Sequence, residues 1–162
     1  MTKLKLIGLA SALALGSASS HAADVDVSAG AKIIAPLQLT NTTALYFGTI
    51  VPSINSDDTV IVAHTGAKTC GNSLTCLSDD HTAAQFSVAG ATQNTYSIQL
   101  PSTVAITSGN NSMTIKDFSG SKATGTLTGG QDNFAVGGTL EVAANQAAGE
   151  YTGTFVVSVE YQ

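Results

Sequence analysis

From residue 24 to the end of the chain, apolar and polar positions alternate in short runs, and clusters of Gly, Pro, Asn and Asp separate the runs. A period of two places successive side chains on opposite faces of an extended chain, so each run predicts a β-strand with one face on a core and one in water. The clearest runs are Leu45, Phe47 and Thr49; Ala84, Phe86 and Val88; Tyr96, Ile98 and Leu100; and Met113 with Ile115. Strands are predicted over roughly 24–29, 31–40, 44–51, 58–63, 83–89, 94–100, 103–107, 112–118, 124–128, 133–142 and 150–161. SINSDD (53–58), GNSLTC (71–76), SGNNS (108–112) and TGGQDN (128–133) supply turn and loop chemistry between them. No stretch carries a convincing helical period, no tandem repeat is visible, and nothing divides the chain into two cores. The pattern predicts an all-β, antiparallel, immunoglobulin-like sandwich.

The first 22 residues stand outside this pattern. Lys3 and Lys5 precede an uncharged apolar run, LIGLASALALG, and the small residues of SASSHA follow it. That order predicts a secretory signal, cleaved after Ala22 or, alternatively, after Ala23, from a run too short to span a bilayer. Residues 1–22 are therefore set apart as a leader, 23–34 as an N-terminal extension or first strand, and 35–162 as the sandwich domain. No second apolar run of membrane-spanning length follows.

Both ends of the mature chain alternate. In EYTGTFVVSVEYQ, Tyr151, Gly153, Phe155, Val157, Val159 and Tyr161 share one face, and only Val156 is out of character on the other. So apolar a terminal strand must be paired, within its own domain or with another chain, or it becomes an aggregation template. In ADVDVSAGAKII, Val25, Val27, Ala29, Ala31 and Ile33 share one parity, as a strand inserted into successive pockets requires. The same segment could instead serve as the first strand of its own sandwich.

Composition narrows the function. Six basic residues, all lysine, face eleven carboxylates, so no basic stripe can neutralise a run of phosphates and nucleic acid is excluded as a partner. Only 10% of residues are charged, well below the roughly 25% usual in globular domains, which argues against a cytoplasmic enzyme. Cys70 and Cys76, in an exported chain, most simply form one disulfide closing a short loop. A metal reading would need His64 and His81 beside them, without the spacing that structural metal sites show. Asp79, Asp80 and His81 could join His64 in an acid/base cluster only if loops converge, and no nucleophile is placed beside them. The Asp57–Asp58 pair lacks calcium-loop spacing, and Ser119-x-x-Lys122 lacks its partner motifs. No catalytic residue, metal site or cofactor is expected.

The ending is similar to that of pilin subunits of the bacterial chaperone–usher pathway, whose last strand alternates apolar residues, with a tyrosine second from the end and a glycine fourteen places from it. Tyr161 and Gly149 occupy those places. That resemblance implies a sandwich lacking one strand, a periplasmic chaperone and outer-membrane usher as partners, and a gap filled by the N-terminal extension of the next subunit. Two features depart from it: Gly30 falls on the outward parity of the extension, and the two cysteines are close neighbours where common pilins bridge distant strands. IIAPLQLTNTTALYFGTIV near the start and FAVGGTLEVAANQAAGEYTGTFVVSVEYQ at the end also resemble a family of small exported bacterial domains catalogued as a domain of unknown function. Leu45, Phe47 and Gly48 carry its "Leu-x-Phe-Gly" strand. Together these predict a structural or adhesive subunit of a surface fibre that associates with like subunits, and not an enzyme. The alternative is a self-contained secreted sandwich that binds a ligand or glycan through its loops.

Overall fold

A computed structural model of the chain describes residues 22–77 and 80–162. The leader up to residue 21, and Asp79, lie outside the described residues. The chain divides into two units, Met1–Lys32 and Ile33–Gln162. In the first, residues 22–32 carry neither strand nor helix, and each is exposed.

The second unit is all β, with no helix among the described residues. Its strands are β1 (Gln38–Thr43), β2 (Ile50–Val51), β3 (Asp58–Val62), β4 (Lys68–Cys70), β5 (Thr75–Cys76), β6 (Ala84–Ala89), β7 (Thr95–Gln99), β8 (Thr103–Ser108), β9 (Asn111–Gly120), β10 (Thr124–Thr126), β11 (Gln131–Val142) and β12 (Ser158–Tyr161). All pairings are antiparallel. The twelve-residue β11 organises the larger sheet. Its first half pairs with β6 and its second half with β3, while β9 covers its other edge from Val136 to Glu141. From there β6 leads to β1, β3 to β4 and β9 to β8. A three-stranded sheet, β10-β7-β12, and a two-stranded one, β2-β5, complete the sandwich.

Two apolar clusters fill it. One joins Phe86, Val88, Phe134 and Val136 of the large sheet to Tyr96, Ile98 and Leu127, with Val157, Val159 and Tyr161 packed against them. Phe86 and Phe134 are directly opposed on β6 and β11, and their rings stack at 5.0 Å. The other cluster gathers Val60, Val62, Met113, Ile115, Leu140 and Val142 beneath Phe47. Val60, Val62, Val88 and Val136 are fully buried, each contributing on the order of 1.5–3 kcal/mol of apolar transfer.

Several boundaries differ from the sequence expectation. No strand forms over 24–29, and the strand expected over 31–40 begins only at Gln38. The 44–51 strand is reduced to a bridge between Tyr46 and Thr82 followed by β2. Gly48 lies between them at φ 81°, a left-handed conformation that interrupts the extended backbone. β4 and β5, read from sequence as loop, are too short for alternation to show. The last strand, expected over 150–161, makes a ladder only over Ser158–Tyr161, with one further bridge, Thr152 to Thr107.

Candidate functional site

The interruption of the last strand has a chemical cause. β7 and β8 follow one another, and the C-terminal segment runs antiparallel to both. Gln162 N–H donates to Thr95 O at 3.1 Å, so the even-numbered residues carry the bonds toward β7, down to Ser158 opposite Gln99. In the same register the next bonding position is Val156 opposite Pro101, and proline has no N–H to give. Pairing resumes at Thr152, which exchanges two bonds of 2.9 and 3.0 Å with Thr107.

Side chains and main-chain groups share the period of two. The odd residues that bury their side chains therefore turn their N–H and C=O groups away from β7 and β8, toward an open edge. Tyr151, Phe155, Val157, Val159 and Tyr161 are half-buried, while the even residues from Thr152 to Gln162, Val156 included, are exposed. Among the described residues, no backbone–backbone hydrogen bond reaches residues 153–157.

The start of that edge, Gly153 and Phe155, together with residues 146–152, forms one bank of a groove of about 780 Å³. The opposite bank is Leu45–Pro52. The floor is Val104 and Ile106 of β8, Met113 and Ile115 of β9, and Leu140 and Val142 of β11. Across the floor the core of the second cluster is reached directly, since Met113, Ile115, Leu140 and Val142 belong to it. The far bank turns its own bonds outward: Tyr46 exchanges two bonds of 2.9 Å with Thr82, and Thr49 O accepts from Leu77 N–H at 3.0 Å.

The approach to the C-terminal bank is fixed. Gln146 Nε2 donates to Tyr151 Oη at 2.8 Å, and Tyr151 Oη donates to Ala147 O at 2.7 Å. Gly149 passes so close to β8 that a Cβ there would stand 2.4 Å from Ser108 Oγ. At the other end, Tyr161 Oη accepts from Ala91 N–H at 2.7 Å and donates to Ala35 O at 2.8 Å.

The other candidates from sequence fall in separate places. Cys70 and Cys76 are joined in a disulfide. Val25, Val27 and Ile33 are 83%, 82% and 95% exposed, and Ala29 and Ala31 are exposed as well; large aliphatics so exposed have their apolar surface still to cover. His81 Nε2 donates to Gly66 O at 3.0 Å, and its buried Nδ1 has no hydrogen-bond partner. Asp57 accepts from Ala144 N–H, and Asp58 accepts from Thr59 and Ser73 N–H groups that hold its carboxyl below its ordinary pKa. Lys122 reaches Asp132 at 2.8 and 3.0 Å. No group of three His, Cys, Asp or Glu residues able to hold a metal occurs among the described residues, nor is any helix there long and apolar enough to cross a membrane. The sequence reading missed Val104, Ile106 and the Leu45–Pro52 bank as one site. The outward alternation of β8 (exposed Thr103, Ala105 and Thr107 against half-buried Val104, Ile106 and Ser108) was the available signal.

No curated protein and no solved structure matches the chain. One family model does match, over residues 37–161, from just before β1 to the end of β12. The chain thus belongs to the family described as Domain of unknown function (DUF4402).

Proposed function

We propose that the protein is an exported structural subunit of a surface fibre, and that its groove receives a β-strand from a neighbouring subunit. The observation that carries this reading is the groove's form: an apolar floor continuous with the core, beside Gly153 and Phe155, on a stretch that no backbone–backbone hydrogen bond reaches among the described residues. A strand laid there would satisfy that edge and place alternate side chains on the floor, the two contributions that make strand addition strong. The donor is residues 24–33, in which Val25, Val27, Ala29, Ala31 and Ile33 would face the floor while Asp24, Asp26 and Ser28 remain in water. A chaperone strand would occupy the same edge before assembly. The resemblance of the chain's ending to chaperone–usher pilins and the disulfide, which forms and persists in oxidising compartments, agree with export.

A second reading has one observation in its favour: 780 Å³ falls within the range of small-molecule pockets, so the groove could hold an apolar ligand. One experiment separates the two. The exported chain is expected to form SDS-resistant ladders that collapse on boiling, and removing residues 24–31 is expected to leave folded monomers and no ladder. Equal polymer yield with and without those residues contradicts the strand-addition reading.

A further inference from the structure

The Leu45–Pro52 bank is held from inside by packing, with Phe47 in the second core cluster and Leu45 and Ile50 against it, and on its outer side by pairing with β5 and the residues after it. Its strand, β2, pairs only within the two-stranded sheet β2-β5, Ile50 opposite Cys76 and Val51 opposite Thr75. The pairing continues past β5, with Leu77 N–H on Thr49 O and Thr82 bonded both ways to Tyr46. Thr75–Leu77 and Thr82 therefore flank the bank from outside the groove.

Among the ties that reach this region, two come from the β3–β4 hairpin. At one end Cys76 is bonded to Cys70, which sits on β4 opposite Val60, itself fully buried at the floor of the sandwich. At the other end the His81 imidazole donates to Gly66 O, in the turn that joins β3 to β4. Between these points β5 belongs to no larger sheet. A two-residue ladder with no third strand has little stability of its own.

We infer that the Cys70–Cys76 disulfide positions the acceptor groove: it holds β5 to the β3–β4 hairpin, β5 holds Ile50–Val51, and the groove is competent only in the oxidised chain. This rests on the acceptor reading above. The large sheet does not depend on the bond, because β3, β6, β9 and β11 are held by long ladders of their own. Reduction would loosen one bank while leaving the floor in place, so that strand acceptance follows the oxidising environment.

The test compares the exported chain with its Cys70→Ser/Cys76→Ser form by site-resolved amide exchange and by yield of SDS-resistant oligomers. Protection at Leu77 and across the β2–β5 pair is expected to fall about tenfold or more, with β6 and β11 unchanged, since local openings are cheaper than global ones. Oligomer yield is expected to fall with it. Unchanged protection at Leu77, or an equal fall throughout β6 and β11 because the core itself needs the bond, overturns the inference. Lost protection at the bank with undiminished oligomers also overturns it, whereas the absence of ladders from the wild-type exported chain contradicts the acceptor reading itself.

Discussion

Asp132 shows how one polar cluster is kept inside an otherwise apolar sandwich. Burial pushes its carboxyl pKa upward, but the Lys122 ammonium, the Tyr96 hydroxyl and the Asn133 N–H outweigh that and hold it below its ordinary value. Burial, and then the same carboxylate as acceptor, push the fully buried Tyr96 hydroxyl far above the usual phenol range, so it stays protonated and donates at 2.9 Å. A carboxyl whose folded pKa is depressed stabilises the fold above its unfolded pKa of about 3.9 and loses that contribution as pH falls through the folded value. Asp132→Asn is therefore expected to lower the thermal midpoint at pH 7, with the gap to wild type narrowing as pH falls from about 5 to about 2. Thermal unfolding across that window checks it, and a gap constant with pH would contradict the assignment. None of this was legible in sequence. Lys122 drew notice only as the end of a Ser-x-x-Lys tetrad, because the ten-residue separation from Asp132 and the longer one from Tyr96 are closed by β9–β11 and β7–β10 pairing.

At the scale of elements, alternation located the strands that lie on large ladders and misjudged those that do not. β3, β6, β7, β8 and β9 fall where the period of two put them, because alternate residues turn toward the core, whereas β11, also expected, is buried on both faces from Phe134 to Leu140. Of the C-terminal face expected from Tyr151 to Tyr161, Gly153 is exposed and the other odd residues are half-buried, and the strand's pairing is interrupted opposite Pro101, in the link between β7 and β8. β4 and β5 carry too few residues to show a period, and the sequence treated their disulfide as a loop staple when it joins two strands. The same scale governs Tyr161. Its hydroxyl ties β12 to Ala91, beyond β6, and to Ala35, where the chain enters the domain. Tyr161→Phe leaves both groups without that partner and is expected to cost about 1–3 kcal/mol in urea unfolding. A midpoint and slope equal to wild type would show that the hydroxyl contributes nothing to joining these segments.

For the whole molecule, the apolar side chains are unevenly covered. The large sheet and the β10–β7–β12 sheet close on each other, whereas Phe47, Met113, Ile115, Leu140 and Val142 lie at or beneath a groove between two banks that share no backbone–backbone hydrogen bond among the described residues. Val27, at 82% exposure, makes no packing that its loss would disturb, so Val27→Asp is expected to leave domain stability within about 0.5 kcal/mol of wild type. Its effect belongs to assembly alone. The measurement that bears most directly on strand addition is amide exchange at Gly153 and Phe155, which line the groove on a stretch without a backbone–backbone hydrogen bond among the described residues, in the assembled exported chain and in its Val27→Asp form. Protection of these amides in the wild type, with exchange faster by about tenfold or more in Val27→Asp while β6 and β11 remain protected, is the predicted result. Equal exchange at Gly153 and Phe155 in the two proteins would contradict it.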